Sequence, residues 1–309
     1  MTIVTPSDIN SAYERIRNHV RKTPVIDLEE DAFGNPGRLT LKLESLQHAG
    51  SFKPRGAFNR VLCAEHISGV VAASGGNHGI ATAHVAQRLG LPADIFVPSI
   101  SSPVKQARIR GLGATVHVGG DLYADALAAS ETFLDTNGGL AVHAYNHPHV
   151  IAGQGTLGLE WESQSPNLDT ILVAVGGGGL IAGICAWYAG RVKIVSVEPD
   201  TSQALHAARE KKKITKVSVS GIAADSLGAS TIGEMAFEIT QTYLDKSLLV
   251  SNEAIQTAQK ALWSTLQIAA EPGGAAAMAA ILSGAYQPQP GERVGVLVCG
   301  GNVDLTTLV

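Results

Sequence analysis

Lys53 stands in the run Ser51-Phe52-Lys53-Pro54-Arg55-Gly56. There an alternating segment, Leu39-Thr40-Leu41-Lys42-Leu43, gives way to the helically spaced Ala57-Phe58-Asn59-Arg60-Val61-Leu62. A lysine at the start of a helix opposes the helix dipole, which favours anions at that end. Destabilising the ammonium lowers its pKa, and a neutral amine is what a Schiff-base nucleophile requires. The proline that follows restrains the backbone. Taken alone, the same corner would also suit a lysine that merely reaches out to solvent.

Two glycine-rich loops supply a reason for that amine. The short apolar strand Ser68-Gly69-Val70-Val71-Ala72-Ala73 runs into Ser74-Gly75-Gly76-Asn77-His78-Gly79, and Ile171-Leu172-Val173-Ala174-Val175 runs into Gly176-Gly177-Gly178-Gly179. Each loop opens a helix and so offers free backbone N–H groups at a positive helix end, a combination that binds anions. Either loop alone could be a turn that packs strand on helix. A nucleophilic lysine with two anion cradles points to a phosphorylated cofactor held beside an acidic substrate.

Two rival chemistries use overlapping residues. Gly177-x-Gly179-x-x-Ala182, with Glu198 about 20 residues on, satisfies a dinucleotide fingerprint, but that reading leaves Lys53 and the first cradle without a role. His143, His147 and His149 could ligate a metal only if aligned, and Pro148 is expected to break any helix that would align the first two. They read as ordinary loop residues, and no metal is assigned.

The elements that must position these groups alternate between strand and helix. Ser7 to Val20 is helical, capped at Ser7. Ile80 to Leu89 is a helix closed by Gly90, Asp94–Val97 a strand, Pro103 to Ile109 a helix, Ala114–Val118 a strand, and about 121–135 a helix. His143 to Val150 reads as a loop, Ala152 to Ser163 as a helix, and Ile194–Val197 as a strand. Ser251 and Glu253 start a helix to about Ala270, Gly273 to Leu282 is a small-residue helix, and Val294–Val298 is a last strand. The class is α/β with parallel βαβ packing.

Composition agrees. The 309 residues are 45% hydrophobic and 16% charged with 34 glycines, as expected where tight strand-to-helix turns recur. A net charge of −4 offers no electrostatic case for nucleic acid or an anionic membrane. Cys63, Cys185 and Cys299 lack zinc-ribbon or redox spacing, so free thiols in a reducing compartment are expected. The start of the chain lacks the apolar core of a signal peptide. Ile171 to Gly190 is free of charge, but its four glycines mark a buried strand and helix rather than a membrane span. A cytoplasmic protein is expected.

In this order along the chain, Ser51-Phe52-Lys53, Ser74-Gly75-Gly76-Asn77-His78, Gly176–Gly179, Glu271-Pro272-Gly273-Gly274-Ala275 and Cys299-Gly300-Gly301-Asn302 resemble the pyridoxal-phosphate enzymes of fold type II. The branch they resemble is that of threonine/serine dehydratases and serine racemases. The resemblance implies two open, twisted, mostly parallel sheets with flanking helices. It also implies a large cofactor-binding domain from residues 1–66 and 146–309, a small domain inserted at 67–145, a pyridoxal 5'-phosphate cofactor and a homodimer.

Carried over residue by residue, the resemblance makes Lys53 the residue that holds the cofactor as a Schiff base and removes the Cα proton. Phe52 would lie against the ring, and Asn77 would bond its hydroxyl. Gly176, Gly177, Gly178, Gly179 and Leu180 would cradle the phosphate, Cys299 would face the pyridine nitrogen, and Glu271 would lie near the cofactor. Ser74, Gly75, Gly76, Asn77 and His78 would take the substrate carboxylate. A thiol is a weak donor and no counter-ion, so the ring would pull electrons less strongly than one paired with Asp, which suits elimination of a β-substituent.

Four departures from the branch stand out, the first of them expected to be minor. Ala49 replaces the usual threonine. Ala204 stands where the racemase branch places a second carboxylate for a divalent cation. Gly75 holds the position of the racemases' second acid–base serine, so elimination with poor racemisation is expected. Ala224–Gly228 departs from the usual wording of the branch in a segment expected to line the substrate pocket. The activity implied is dehydration and deamination of L-threonine or L-serine to a 2-oxo acid and ammonia. The alternatives are a bulkier 3-hydroxy amino acid such as phenylserine or hydroxyaspartate, serine racemisation, or a catalytically silent amino-acid or pyridoxal-phosphate-binding protein. The intact Lys53 and Asn77 argue against the last.

Overall fold

In the computed structural model, which describes residues 4–29, 32–34 and 37–308, the chain forms two separate sheets. α1 (Pro6–Ile16) leads to β1 (Val25–Asp27) and β2 (Arg38–Leu43), and α2 (Lys53–Leu62) follows the corner at Ser51. Next, β3 (Val70–Ala73), α3 (Asn77–Leu89), β4 (Ala93–Val97), α4 (Pro103–Gly111), β5 (Thr115–Val118), α5 (Tyr123–Asn137) and β6 (Leu140–Ala141) alternate. The chain continues through α6 (Pro148–Gln164), β7 (Thr170–Ala174), α7 (Gly179–Tyr188), β8 (Lys193–Pro199), α8 (Ala204–Lys211) and the short α9 (Ala224–Leu227). It ends with α10 (Glu234–Tyr243), β9 (Leu244–Val250), α11 (Asn252–Leu266), α12 (Pro272–Leu282) and β10 (Arg293–Val298).

The larger sheet runs β1-β2-β10-β7-β8-β9 and the smaller β5-β4-β3-β6, every pair parallel except β1 with β2. Strands covered on both faces read as continuous apolar runs, which is why all five residues of β7 and the last five of β10 are buried. Insertion of β10 between β2 and β7 is the decisive step. It sets Val298 beside Leu43 and carries the end of the chain to the corner that precedes Lys53. β2, β10 and β7 then end on one edge, the carboxyl edge where ligands bind in open parallel sheets. β3 delivers the Ser74 loop to the same cleft. The core of the small sheet also draws Ile16, Ala57, Phe58 and Val61 from α1 and α2.

Local expectations fail where caps decide. α1 begins at Pro6 and ends at Ile16, because Thr5 rather than Ser7 forms the N-cap, in a reciprocal bond with Asp8. α6 begins at Pro148: a proline at the first helical position starts a helix instead of breaking one, and His147 Nδ1 accepts from the His149 amide at 3.1 Å. α11 stops at Leu266 because Gln267 turns left-handed at φ 55°. The short or partly polar strands β1, β6 and β9 carry too little alternation to be read from sequence.

Candidate active site

Backbone bonds at the end of β10 tie the lysine corner to the rest of the cleft. The Phe52 amide donates to the Cys299 carbonyl at 3.1 Å, and Ser51 bridges Gly300. The Gly301 amide donates to Gly50 O at 2.9 Å, and that of Glu271 donates to Gly300 O at 3.2 Å. Phe52, Lys53, Asn77, Glu271, Cys299 and the run Gly176–Leu180 therefore line one cavity. Tyr145, Ser226, Leu227 and Gly273 complete its wall. No sequence motif marks Tyr145; its place depends on a loop between the two sheets.

Lys53 is the first residue of α2, and its Nζ donates to the Ala144 carbonyl at 3.0 Å. The residue keeps some exposed surface, but the amine lies deep in the cleft, and burial pulls its pKa down to about 8, only partly offset by the neighbouring Cys299 and Glu271. Nζ stands 5.1 Å from the centre of the Phe52 ring. The helix N-terminus predicts the direction of the shift; enclosure is its main cause.

The second glycine run is a cradle with no room for side chains. A β-carbon on Gly177 would enter the Tyr145 ring, one on Gly179 would fall 2.9 Å from Tyr145 Cα, and one on Gly176 would fall 3.0 Å from Leu227 Cα. Gly178 adopts φ 92°, which only glycine holds without strain. Because the first intrahelical bond of α7 runs from the Ala182 amide to Gly178 O, the amides just before it have no helical partner and face the cavity end. Free amides at the start of α7 are donors suited to an anion such as a phosphate, and Cys299 lines the same cavity.

Asn77 opens α3 and donates through Nδ2 to Glu271 Oε1 at 2.5 Å, while its Oδ1 accepts from Asn302 Nδ2 at 2.7 Å. Glu271 is buried, and that burial raises its pKa to about 7 although Asn77, Lys105, Lys53 and Arg108 act the other way. Burial likewise raises the Cys299 thiol far above its ordinary value, so it is a neutral donor, directed at the Gly273 carbonyl at 3.4 Å.

The remaining predicted residues border the cleft without lining the cavity. Ser74 Oγ accepts from the Gly76 amide at 3.2 Å, and Gly76 packs against Asp225. The His78 ring is turned away to the Val142 carbonyl at 2.7 Å, and burial drops its pKa to about 3, so only the backbone of His78 serves the loop. Glu198 is fully buried and accepts from the amides of Leu205 and His206 at 2.8 and 2.7 Å, which leaves it unavailable to a ribose and removes the dinucleotide reading. His143 Nδ1 accepts from the amides of Tyr145 and Asn146, a structural role in the loop that carries Tyr145.

Comparison with known proteins agrees with this geometry. The chain is 33% identical to L-threonine ammonia-lyase of Thermotoga maritima over 99% of its length and 77% of that protein. It is 35% identical to phenylserine dehydratase of Ralstonia pickettii, covering 99% of this chain and 95% of the relative. The structure of maize serine racemase superposes with a TM-score of 0.93 at 32% identity, over 99% of this chain and 96% of that one. Residues 16–300 match the family model described as pyridoxal-phosphate dependent enzyme, and with a buried amine and a glycine cradle lining one cavity, the chain belongs to that family and its cofactor is pyridoxal 5'-phosphate.

Proposed function

We propose that the protein dehydrates and deaminates a β-hydroxy amino acid, L-threonine or L-serine, to a 2-oxo acid and ammonia. The observation that carries this reading is an enclosed, partly neutral Lys53 amine in a cavity that also holds the Cys299 thiol, which burial keeps neutral. The threonine ammonia-lyase among its relatives supports it.

When bound, pyridoxal phosphate supplies a sink for the electrons left at Cα. The rest is work for the chain. Gly176–Leu180 would hold the phosphate, Phe52 would cover one face of the ring, and Asn77 would bond its hydroxyl. Ser74 and the amides of the Gly75–Asn77 loop orient the substrate carboxylate, with the His78 side chain held aside. Lys53, with a pKa near working pH, accepts the Cα proton. Cys299, a weak donor, would leave the pyridine nitrogen uncharged, and the β-hydroxyl departs as water once Lys53 gives back the proton it took from Cα. The released enamine hydrolyses to the oxo acid and ammonia.

A bulkier substrate is the second reading, favoured by the aromatic Tyr145 in the cavity wall, with Tyr123 near enough for the two phenols to interact electrostatically, and by the phenylserine dehydratase among the relatives. Residues 67–145 would act as a small mobile domain on a large one formed by 1–66 and 146–309, and the protein would work as a cytoplasmic homodimer. Among the described residues no helix is long and apolar enough to cross a membrane. The test is a panel of L-threonine, L-serine, phenylserine and hydroxyaspartate with the purified protein, following 2-oxo acid in a coupled assay and the subunit count by light scattering. Turnover of threonine or serine is expected; no oxo acid from any of the four would refute the reading.

A further inference from the structure

Asn302 closes the last motif of the chain and stands behind Asn77, outside the cavity lining. Its side-chain amide has one consistent orientation. Nδ2 donates to the Ala49 carbonyl at 2.9 Å, a group that can only accept, while Oδ1 accepts from Arg108, a group that can only donate. Its seat is built for it: Gly50, at φ 74°, lacks a β-carbon where one would fall 3.0 Å from Asn302 Cγ.

That orientation dictates the next. The second Nδ2 hydrogen of Asn302 points at Asn77, so the atom of Asn77 that receives it at 2.7 Å must be the carbonyl oxygen. The NH₂ of Asn77 is then the end that faces Glu271 and the cavity, with one hydrogen on Glu271 and one free. The bonds run in one direction, Arg108 to Asn302 to Asn77 to Glu271, from an obligate donor to a carboxyl acceptor, and each polarises the next. Arg108 belongs to α4 on the small sheet, Asn302 and Glu271 to the large-sheet side, so the chain also crosses the cleft.

We propose that Asn302 is a positioning residue that fixes the Asn77 amide with its NH₂ toward the hydroxyl of the cofactor ring, and that Arg108 sets this orientation from across the cleft. The inference rests on the placement of Asn77 given above and not on which amino acid is consumed. A donor on the ring oxygen favours its anionic form; with the amide reversed, Asn77 would present a carbonyl there and repel it.

The test is Asn302→Asp in the holoenzyme. Aspartate can only accept, so it keeps Arg108 and forces Asn77 to turn its NH₂ away from the cavity. We expect the long-wavelength band of the bound cofactor to lose intensity to the short-wavelength band, and cofactor binding to weaken about tenfold, as for one lost bond to a charged group. Arg108→Met, at an exposed position that does not threaten folding, should move both readouts the same way by about threefold. It decides the question alone if Asn302→Asp does not fold. Variants that melt lower but keep the wild-type band ratio and cofactor affinity would show a merely structural role and overturn the proposal. Asn77→Ala is the reference: if it too leaves the bands unchanged, the placement of Asn77 is wrong and both ideas fall, whereas a change in Asn77→Ala alone rejects only the part given to Asn302.

Discussion

Ser101 occupies the space into which a side chain at Gly75 would point. A β-carbon built on Gly75 falls 2.7 Å from Ser101 Cβ and closer still to its hydroxyl, so the loop after β4 fills the place of a missing side chain in the loop after β3. Gly75 is therefore kept for space; its backbone is outside the left-handed region. Racemisation needs an acid–base group on the ring face opposite Lys53, and Gly75 has none to offer. We expect L-serine to give pyruvate in large excess over D-serine, measured by coupled assay beside chiral chromatography. Gly75→Ser alone should express poorly or displace Ser101, whereas Gly75→Ser with Ser101→Gly should raise the D-serine share several-fold. D-serine forming as fast as pyruvate in the wild type would refute this.

Much of this was legible locally. The corner at Lys53 and both glycine loops are strand-to-helix junctions, where alternation, glycine and the opening of a helix fall within a dozen residues of one another. The order of the motifs, read with the family resemblance, led to two mostly parallel sheets, and two such sheets are found. What sequence could not show is held by contacts between distant segments. Tyr145 enters the cavity because its loop lies over Gly177 and Gly179; Ser101 meets Gly75, and Asn302 meets Asn77, only after the strands are stacked. His78 looked like part of a ligand loop until the bond of its ring to Val142 removed the side chain from it. Glu198 satisfied a spacing rule while capping a neighbouring helix.

The depressed pKa of Lys53 makes cofactor capture pH-dependent. Covalent attachment needs the neutral amine, so uptake by the apoenzyme should accelerate as pH rises toward about 8 and level off above it. The linkage has a definite sign. Below about 8 the lysine is protonated folded and unfolded, and the cost of a buried ammonium is fully present. Between about 8 and 10.5 the unfolded chain keeps a proton that the folded chain has released, so the stability of the apoenzyme rises with pH. Lys53→Ala should abolish the covalent absorbance, lower turnover by at least about 10³-fold and lose that rise. Stopped-flow absorbance and urea titrations at pH 6 to 10 measure both; a variant that still makes oxo acid at a comparable rate would displace Lys53 from its role.

Cys299→Asp tests the neutral end of the cleft. Burial and the nearby Glu271 hold the thiol protonated, and an aspartate there would meet the same neighbours. Its stable arrangement shares a proton with the pyridine nitrogen, which gains positive charge and draws electrons from Cα more strongly. We expect a new long-wavelength absorbance during turnover, a smaller share of elimination, and an apoenzyme less stable by about 1–3 kcal/mol for a buried, imperfectly partnered carboxyl. An unchanged spectrum and product ratio would place residue 299 away from the ring.

The first turn of α2, which carries Lys53, rests on a buried ionic cluster whose charges balance. Arg55 clasps Glu44 through Nε and Nη2 at 2.8 and 2.7 Å and reaches Glu160 at 3.0 Å, while Lys42 Nζ donates to Glu160 at 2.5 Å. All four side chains are almost wholly removed from solvent. Burial alone would raise the Glu44 carboxyl, but Arg55, with help from Lys42 and Thr23, more than offsets it and holds the group below the ordinary carboxylate range. Two cations therefore face two carboxylates. Glu160→Gln leaves Lys42 and Arg55 with one carboxylate, and an uncompensated buried charge costs about 3–5 kcal/mol. Adding Lys42→Met restores the balance as Arg55 with Glu44, so the double variant should regain most of that loss despite carrying two changes. Urea unfolding of the two single variants and the double forms a cycle whose coupling energy should be at least about 2 kcal/mol in favour of the pair. Additive losses would mean that the cluster is held by packing and hydrogen bonds alone, and that charge balance beneath Lys53 does not matter.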